Sequence, residues 1–221
     1  MRLLPATRVR NMDARRQRIL DAASSMLAKG GLAGLTLRAL AGKAGVTVPT
    51  IYNLVGAKEQ VVAALIESAL DGMDAALAAV PALRGIARAQ AAVRANAELY
   101  FSDPERYGAL FRAMQDVQAN PDESSLDVLF RRAGDVFCLA VREAQADGDL
   151  HGRLKPVPLG HHILHAQIET FRLWGIGALP EPMVRARALY ALYVSLLADA
   201  TKSTRRVLLD EIRAFEAALD T

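Results

Sequence analysis

Residues 36–58 read TLRALAGKAGVTVPTIYNLVGAK. Thr36 suits an N-cap, because its hydroxyl can accept from an unpaired backbone N–H of a first helical turn. Leu37, Leu40 and Ala41 then recur at helical spacing and make one apolar stripe. Ala41 is small, as needed where two helix axes cross closely. Gly45 stands four residues after Ala41, where a left-handed backbone ends a helix and a Cβ is penalised. Val46 closes the apolar contact after the turn. Thr47 can cap a second helix, and Pro49 falls in its first turn, where a missing N–H does little harm. Ile51 then points back toward Leu40 and Ala41 as a buried wedge. The spacing predicts two short helices joined by a tight turn, with Thr47, Val48, Pro49 and Thr50 at the exposed start of the second.

That pattern fits a helix-turn-helix, which lays its second helix in the DNA major groove. It also fits an αα-hairpin inside a helical bundle, since short helix–helix turns often contain glycine. Charge favours the first. Residues 1–60 hold ten Lys or Arg and three acids, whereas the rest of the chain holds 17 basic and 21 acidic residues. A net charge of only +3 over 221 residues thus conceals a strongly basic N-terminal quarter. Such a quarter is what a domain that displaces phosphate counterions requires.

From about Arg16 to Leu65 the chain resembles the TetR family of bacterial transcriptional regulators. The likeness is carried by RQRILDAASSMLAKGGLAGLTL, then LRALAGKAGV, then PTIYNLVGAKEQVVAAL, and most specifically by Pro49-Thr50-Ile51-Tyr52 with Lys58-Glu59. The resemblance implies that Thr36, Tyr52 and Lys58 hold phosphate and that Thr47, Val48, Pro49 and Thr50 face bases. It places Arg38 where some members carry a guanine-reading arginine, the commonest specific contact being bidentate. Leu54 stands where the family usually has an aromatic residue or histidine, and Val55 where it often has phenylalanine. Leu54 cannot donate to phosphate, and Asn53 is the neighbour that can. Val48 and Pro49 are apolar and suit thymine methyl groups.

Outside this stretch, strand patterns are nearly absent and helical periodicity recurs. Helices are expected over Arg15–Lys29 (ended by Gly30-Gly31), Lys58 to about Val80 (ended by Pro81), Arg84–Phe101, Glu105–Gln118, Ser124–Ala146, Pro158–Gly175, Glu181–Asp199 and from about Ser203. Ser102-Asp103-Pro104 and Asn120-Pro121-Asp122 read as breaks, and Asp147–Val157 as an exposed connection. The expected fold is all-α. Residues 1–57 make an N-terminal arm and a three-helix DNA-binding domain, and residues 58–221 a larger helical ligand-binding and dimerisation domain.

The resemblance further implies a homodimer built from the helices near 158–175 and 182–199, binding a palindromic double-stranded DNA operator and released by a small-molecule effector. Leu189, Leu192, Tyr193, Leu196 and Leu197 offer a broad apolar face for that dimer, although packing within one chain would use the same face. For an effector, the candidates are polar groups set in apolar stripes. Gln167 falls amid Ile163, Leu164, Phe171 and Trp174 on one helical arc, and either faces a pocket or bonds a neighbouring helix. Asn96 and Tyr100, one turn apart, pose the same choice. Tyr107, Met114 and Phe137 are candidates for an apolar lining or for plain core.

His161, His165 and Glu169 are spaced by four and lean to one side of a helix, half of a Zn²⁺ or Ni²⁺ ligand set. The alternative is a solvated face on which Glu169 pairs with His165 or Arg172. No cofactor is expected. The single cysteine, Cys138, allows no intrachain disulfide and sits in VFCLAV, which suits a small buried residue. No apolar run approaches a membrane-spanning length, so a cytoplasmic protein with no membrane partner is expected. An enzyme is not expected either: the sequence has no nucleophile–base set, Gly-rich phosphate loop or two-His metalloprotease signature. A repressor with an effector, a DNA-binding regulator without one and a metal-responsive regulator remain as readings.

Overall fold

The computed structural model describes residues 6–78, 83–118 and 123–219, and their regular structure is helical apart from one isolated bridge between Leu150 and Ala200. Ten helices follow in order: α1 (Ala6–Gly34), α2 (Leu37–Ala44), α3 (Val48–Leu54), α4 (Lys58–Ala78), α5 (Gly85–Ser102), α6 (Pro104–Gln118), α7 (Glu123–Ala146), α8 (Pro156–Gly175), α9 (Glu181–Leu197) and α10 (Lys202–Leu219). The all-α expectation therefore holds, with seven helices after the first three.

Several boundaries differ from the sequence reading. Helix α1 begins at Ala6, well before Arg15, and Gly30 stays helical; the break is at Gly31 alone, whose φ of 60° and ψ of −167° no helix accommodates. Helix α8 starts two residues early, because Pro156 and Pro158 both fit a first turn, where no N–H is needed. Val80, Pro81 and the Asn120-Pro121-Asp122 break lie outside the described residues.

Two apolar clusters organise the body. The first joins α1–α4 to α6 and the end of α8, with Ile19, Leu27, Leu40, Ile51, Val61 and Phe171 among its buried members. It runs without interruption from the first three helices into the rest of the chain. The second gathers α5, α7, α8, α9 and α10 around Phe137, Ile163, Leu192 and Leu208. Within the first, Tyr100, Phe111 and Phe171 meet at ring-centroid distances of 4.7–5.7 Å. Aromatic edges and faces attract at such spacings. Helices α7 and α8 pack closely at Gly160. A Cβ there would lie 2.6 Å from Cys138 N and 2.7 Å from its Cα.

The connection between α7 and α8 is anchored, although most of its residues are exposed. Asp199 is buried, and its carboxylate accepts from Gly152 N at 3.0 Å, Arg153 N at 2.9 Å and Gln145 Nε2 at 3.1 Å. Leu150 is buried beside it. The glycines and Pro156 announce the loop but give no sign of this anchor, which needs a residue some fifty positions away. No helix among the described residues is long and apolar enough to cross a membrane.

Candidate nucleic-acid interface and internal cavity

The turn between α2 and α3 is closed from both sides. Thr36 caps α2 by accepting from Ala39 N at 3.2 Å. Gly45 is left-handed at φ 65° and ψ 40°. Its N–H donates to Gly42 O at 3.4 Å, and Val46 N donates to Ala41 O at 3.0 Å. Together these satisfy the carbonyls that a helix end leaves orphaned. Thr47 caps α3 by accepting from Thr50 N at 3.4 Å, with Pro49 in the first turn. Ile51 is fully buried against the same cluster as Leu40 and Ala41. Burying it is worth about 1.5–3 kcal/mol, which fixes which way α3 faces.

With that face fixed, the other points outward. Thr47, Pro49, Tyr52 and Asn53 are exposed, Tyr52 at 55%, and Val48 and Thr50 are half-buried. Arg38 is exposed on α2 and Lys58 is half-buried at the start of α4. None of the ion pairs among the described residues uses Arg38, Lys43 or Lys58. Lys43 Nζ instead donates to Ser25 Oγ on α1 at 2.7 Å. Leu54 and Val55 pack against the core, so their aliphatic character has a structural use. One contact was missed: Gln60 Oε1 accepts from Ala57 N at 2.9 Å and fixes where α4 begins. Its signal was a glutamine three residues after the cap position.

The candidate effector residues divide. Asn96, Tyr100, Met114 and Gln167 line one internal cavity of about 50 Å³ between α4, α5, α6, α7 and α8. Tyr107 and Trp174 do not line it. Tyr107 packs against Tyr100 at 5.1 Å with its ring tilted by 53°, and Trp174 packs edge-on to Phe101 at 5.3 Å. Phe137 takes the plain-core reading: it is fully buried in the second cluster, whereas Tyr107 and Met114 belong to the first. Helical periodicity reports that a residue faces inward but not which of two cores it enters. Conversely, Ile66, Met73, Phe130 and Ile168 line the cavity without having been singled out, since nothing distinguishes them from ordinary core in the sequence.

Gln167 combines both of its alternatives. Its Nε2 donates to Ala188 O on α9 at 3.0 Å, while Oε1 is buried with no hydrogen-bond partner among the described residues. Tyr100 is buried, which pushes its phenol well above the ordinary range, and its hydroxyl donates only to the Met73 sulfur at 3.1 Å. Outside the cavity, Arg132 of α7 bridges Asp71 at 2.6 Å and Asp74 at 2.5 Å on α4. That clasp could not be read from the sequence, because it joins helices some sixty residues apart.

The histidine face does not gather a metal site. Among the described residues no group of three or more His, Cys, Asp or Glu side chains could hold an ion. Glu169 is taken by Arg172, with Nε–Oε2 and Nη2–Oε1 both at 2.6 Å, and that pairing holds the carboxyl below its usual range. His161 turns toward Gly134 of α7, whereas His165 is exposed. Of the apolar face on α9, Leu192, Tyr193 and Leu196 take the second of its two readings: they are buried within the chain's own second cluster. What α8 and α9 leave open is a different surface, a groove of about 570 Å³ lined by His162, Ala166, Met183, Tyr190 and Val194. Cys138 is buried; desolvation pushes its thiol up, and its S–H donates to Val157 O at 3.7 Å.

Residues 19–65 match the family model of bacterial regulatory proteins of the tetR family. No curated protein matches the chain. Solved structures do. A γ-butyrolactone receptor described as ArpA-like is 20% identical with a TM-score of 0.57, and the match covers 94% of this chain and 99% of that one. SmeT, the repressor of the Stenotrophomonas maltophilia multidrug efflux pump SmeDEF, is 20% identical with a TM-score of 0.56, over 86% and 92%. A protein from Syntrophomonas wolfei assigned to the TetR family is 16% identical with a TM-score of 0.67, over 84% and 95%. At these identities the likeness is one of fold, and it extends through the whole helical body. With the capped turn and the outward face of α3, residues 19–65 are those of the N-terminal region of bacterial regulatory proteins of the tetR family.

Proposed function

We propose that the protein is a ligand-responsive repressor that binds a palindromic operator as a homodimer. The observation that carries this is the division of α3: Ile51 is fully buried, and Thr47, Pro49, Tyr52 and Asn53 stand exposed on the other side of a seven-residue helix. In this reading residues 1–57 form the DNA-binding part and residues 58–221 the effector-binding and dimerising part. Thr47, Val48, Pro49, Thr50 and Arg38 meet base edges, while Thr36, Tyr52, Asn53 and Lys58 meet phosphate. The cap bond at Thr36 uses a lone pair of its hydroxyl and leaves the hydrogen to donate.

Dimerisation follows from reach. One seven-residue helix reads few base pairs, and two-fold pairing sets two such helices about 34–36 Å apart, one turn of DNA. The open groove on α8 and α9 is the surface available for it. The cavity lined by Asn96 and Gln167 lies against α4, the helix that follows the reading head, so a ligand that fits only one placement of α4 would shift DNA affinity. The solved relatives described as a receptor and an efflux-pump repressor agree with that reading.

The test is selection of binding sites from random duplexes, followed by retardation of the winner at several salt concentrations. A palindromic consensus bound by a dimer with steep salt dependence is expected. Failure to retard any selected duplex at low salt overturns the proposal.

A further inference from the structure

Two spaces meet inside the body. The inner slot of about 50 Å³ adjoins a cleft of about 210 Å³, and Leu70, Met73, Asn96 and Ala133 line both. Gln167 lines only the slot, whereas Asp74, Arg132 and Asp135 line only the cleft. The charged groups and Gln167 therefore line different spaces, and Asn96 is the polar side chain common to both.

The orientation of Gln167 is set by its neighbour. Ala188 O can only accept, so Nε2 must face it and Oε1 is the atom left over. Gln167 is 3% exposed, and among the described residues Oε1 has no hydrogen-bond partner. A buried acceptor of this kind is costly to leave unmade and rewards any donor delivered to it. Among the described residues no charged side chain lines the slot, so an ionised ligand would be stripped of water with none of them to balance it. The rest of the lining is aliphatic, aromatic or thioether, apart from Asn96 and the Tyr100 hydroxyl.

We propose that this cavity takes an uncharged, slender, mainly apolar molecule with a hydroxyl or N–H donor at its inner end, received by Gln167 Oε1, its apolar tail running past Asn96 into the cleft. The inference rests on the effector reading of this cavity given above, and it adds the ligand's chemical class and direction.

The probes are 1-heptanol, its isostere 1-methoxyhexane and the anion heptanoate, each titrated calorimetrically into the full chain and into Gln167→Met. In the natural protein the alcohol should bind about tenfold more tightly than the ether, and heptanoate more weakly than the alcohol. Gln167→Met should bring alcohol and ether within about twofold of each other. Equal affinity of alcohol and ether for the natural protein overturns the proposal without recourse to the variant. So does heptanoate matching heptanol, or no binding of any probe. The same preparation is assayed for DNA retardation without probe. DNA binding with no alcohol preference defeats this inference alone, and alcohol preference without DNA binding defeats the regulator reading alone.

Discussion

The hydroxyl oxygens of Thr47 and Thr50 lie 2.8 Å apart, and Thr47 Oγ1 also accepts from Thr50 N at 3.4 Å. One hydroxyl hydrogen is consumed between them, so the pair has one left to donate outward. The start of α3 is thereby rigid as well as polar. Thr50→Val keeps the branched shape and removes one hydroxyl, and Arg38→Ala removes a guanidinium suited to guanine. Each should change which operator is preferred, by about 1–3 kcal/mol at the affected base pair. Site selection with each variant checks this. An operator ranking unchanged from the natural protein would show that these side chains do not read bases.

Lys58 and Tyr52 should behave differently, because a phosphate contact carries no sequence information. Lys58→Ala is expected to weaken binding to every duplex alike and to reduce the slope of log K against log salt by about 0.9. Tyr52→Phe removes a donor but no charge. It should weaken binding uniformly and leave that slope unchanged. Retardation of one specific and one unrelated duplex across a salt series separates the two effects.

Gly160 and Gly42 make a paired test of packing. A Cβ on Gly160 would meet Cys138 N at 2.6 Å and its Cα and Sγ at 2.7 Å, mostly backbone that cannot turn aside. Gly160→Ala should cost about 1–3 kcal/mol, the range for overpacking a close contact. Gly42 is exposed within α2, and a Cβ there would meet nothing within 4 Å. Gly42→Ala should stabilise by about 0.5–1 kcal/mol, through the lower chain entropy of alanine when unfolded. Urea midpoints at constant m-value check both.

The contrast shows what a sequence carries. Thr36, Gly45, Thr47 and Pro49 were legible because each acts within four or five residues of its partner, where capping rules apply, and Ile51 because the tight turn returns α3 onto Leu40 and Ala41 about ten residues back. Gly160 was not legible, because the atoms that require its missing side chain belong to Cys138 on another helix. The same distinction explains the effector candidates. Inward-facing positions on α5, α6 and α8 were found, but only the assembled body shows that Phe137 enters the second core and that Gln167 has one atom bonded and one left over. On α9 periodicity found an apolar face and packing decided its use: Leu192 and Leu196 went inward, leaving Val194, 43% exposed, outside.

The join between α5 and α7 should be sensitive to acid. Glu143 has a side chain only 11% exposed, and its carboxylate accepts from Arg88 Nε at 2.8 Å, Arg88 Nη2 at 3.1 Å and Gly85 N at 2.9 Å. The Arg88 guanidinium first, and the Gly85 amide after it, hold its carboxyl below the ordinary value of 4.5, against the opposing effect of burial. A carboxyl whose folded value is depressed binds protons more readily when unfolded. Its contribution is therefore fully present above the unfolded value and is lost as pH falls through the lower folded one. Glu143→Gln should destabilise the protein by about 1.5–3 kcal/mol at neutral pH, the order of a hydrogen bond to a charged group. The gap between natural and variant protein should stay constant from neutral pH down to about 4.5 and then close. Urea unfolding at a series of pH values measures it, with a gap that widens on acidification as the contrary result.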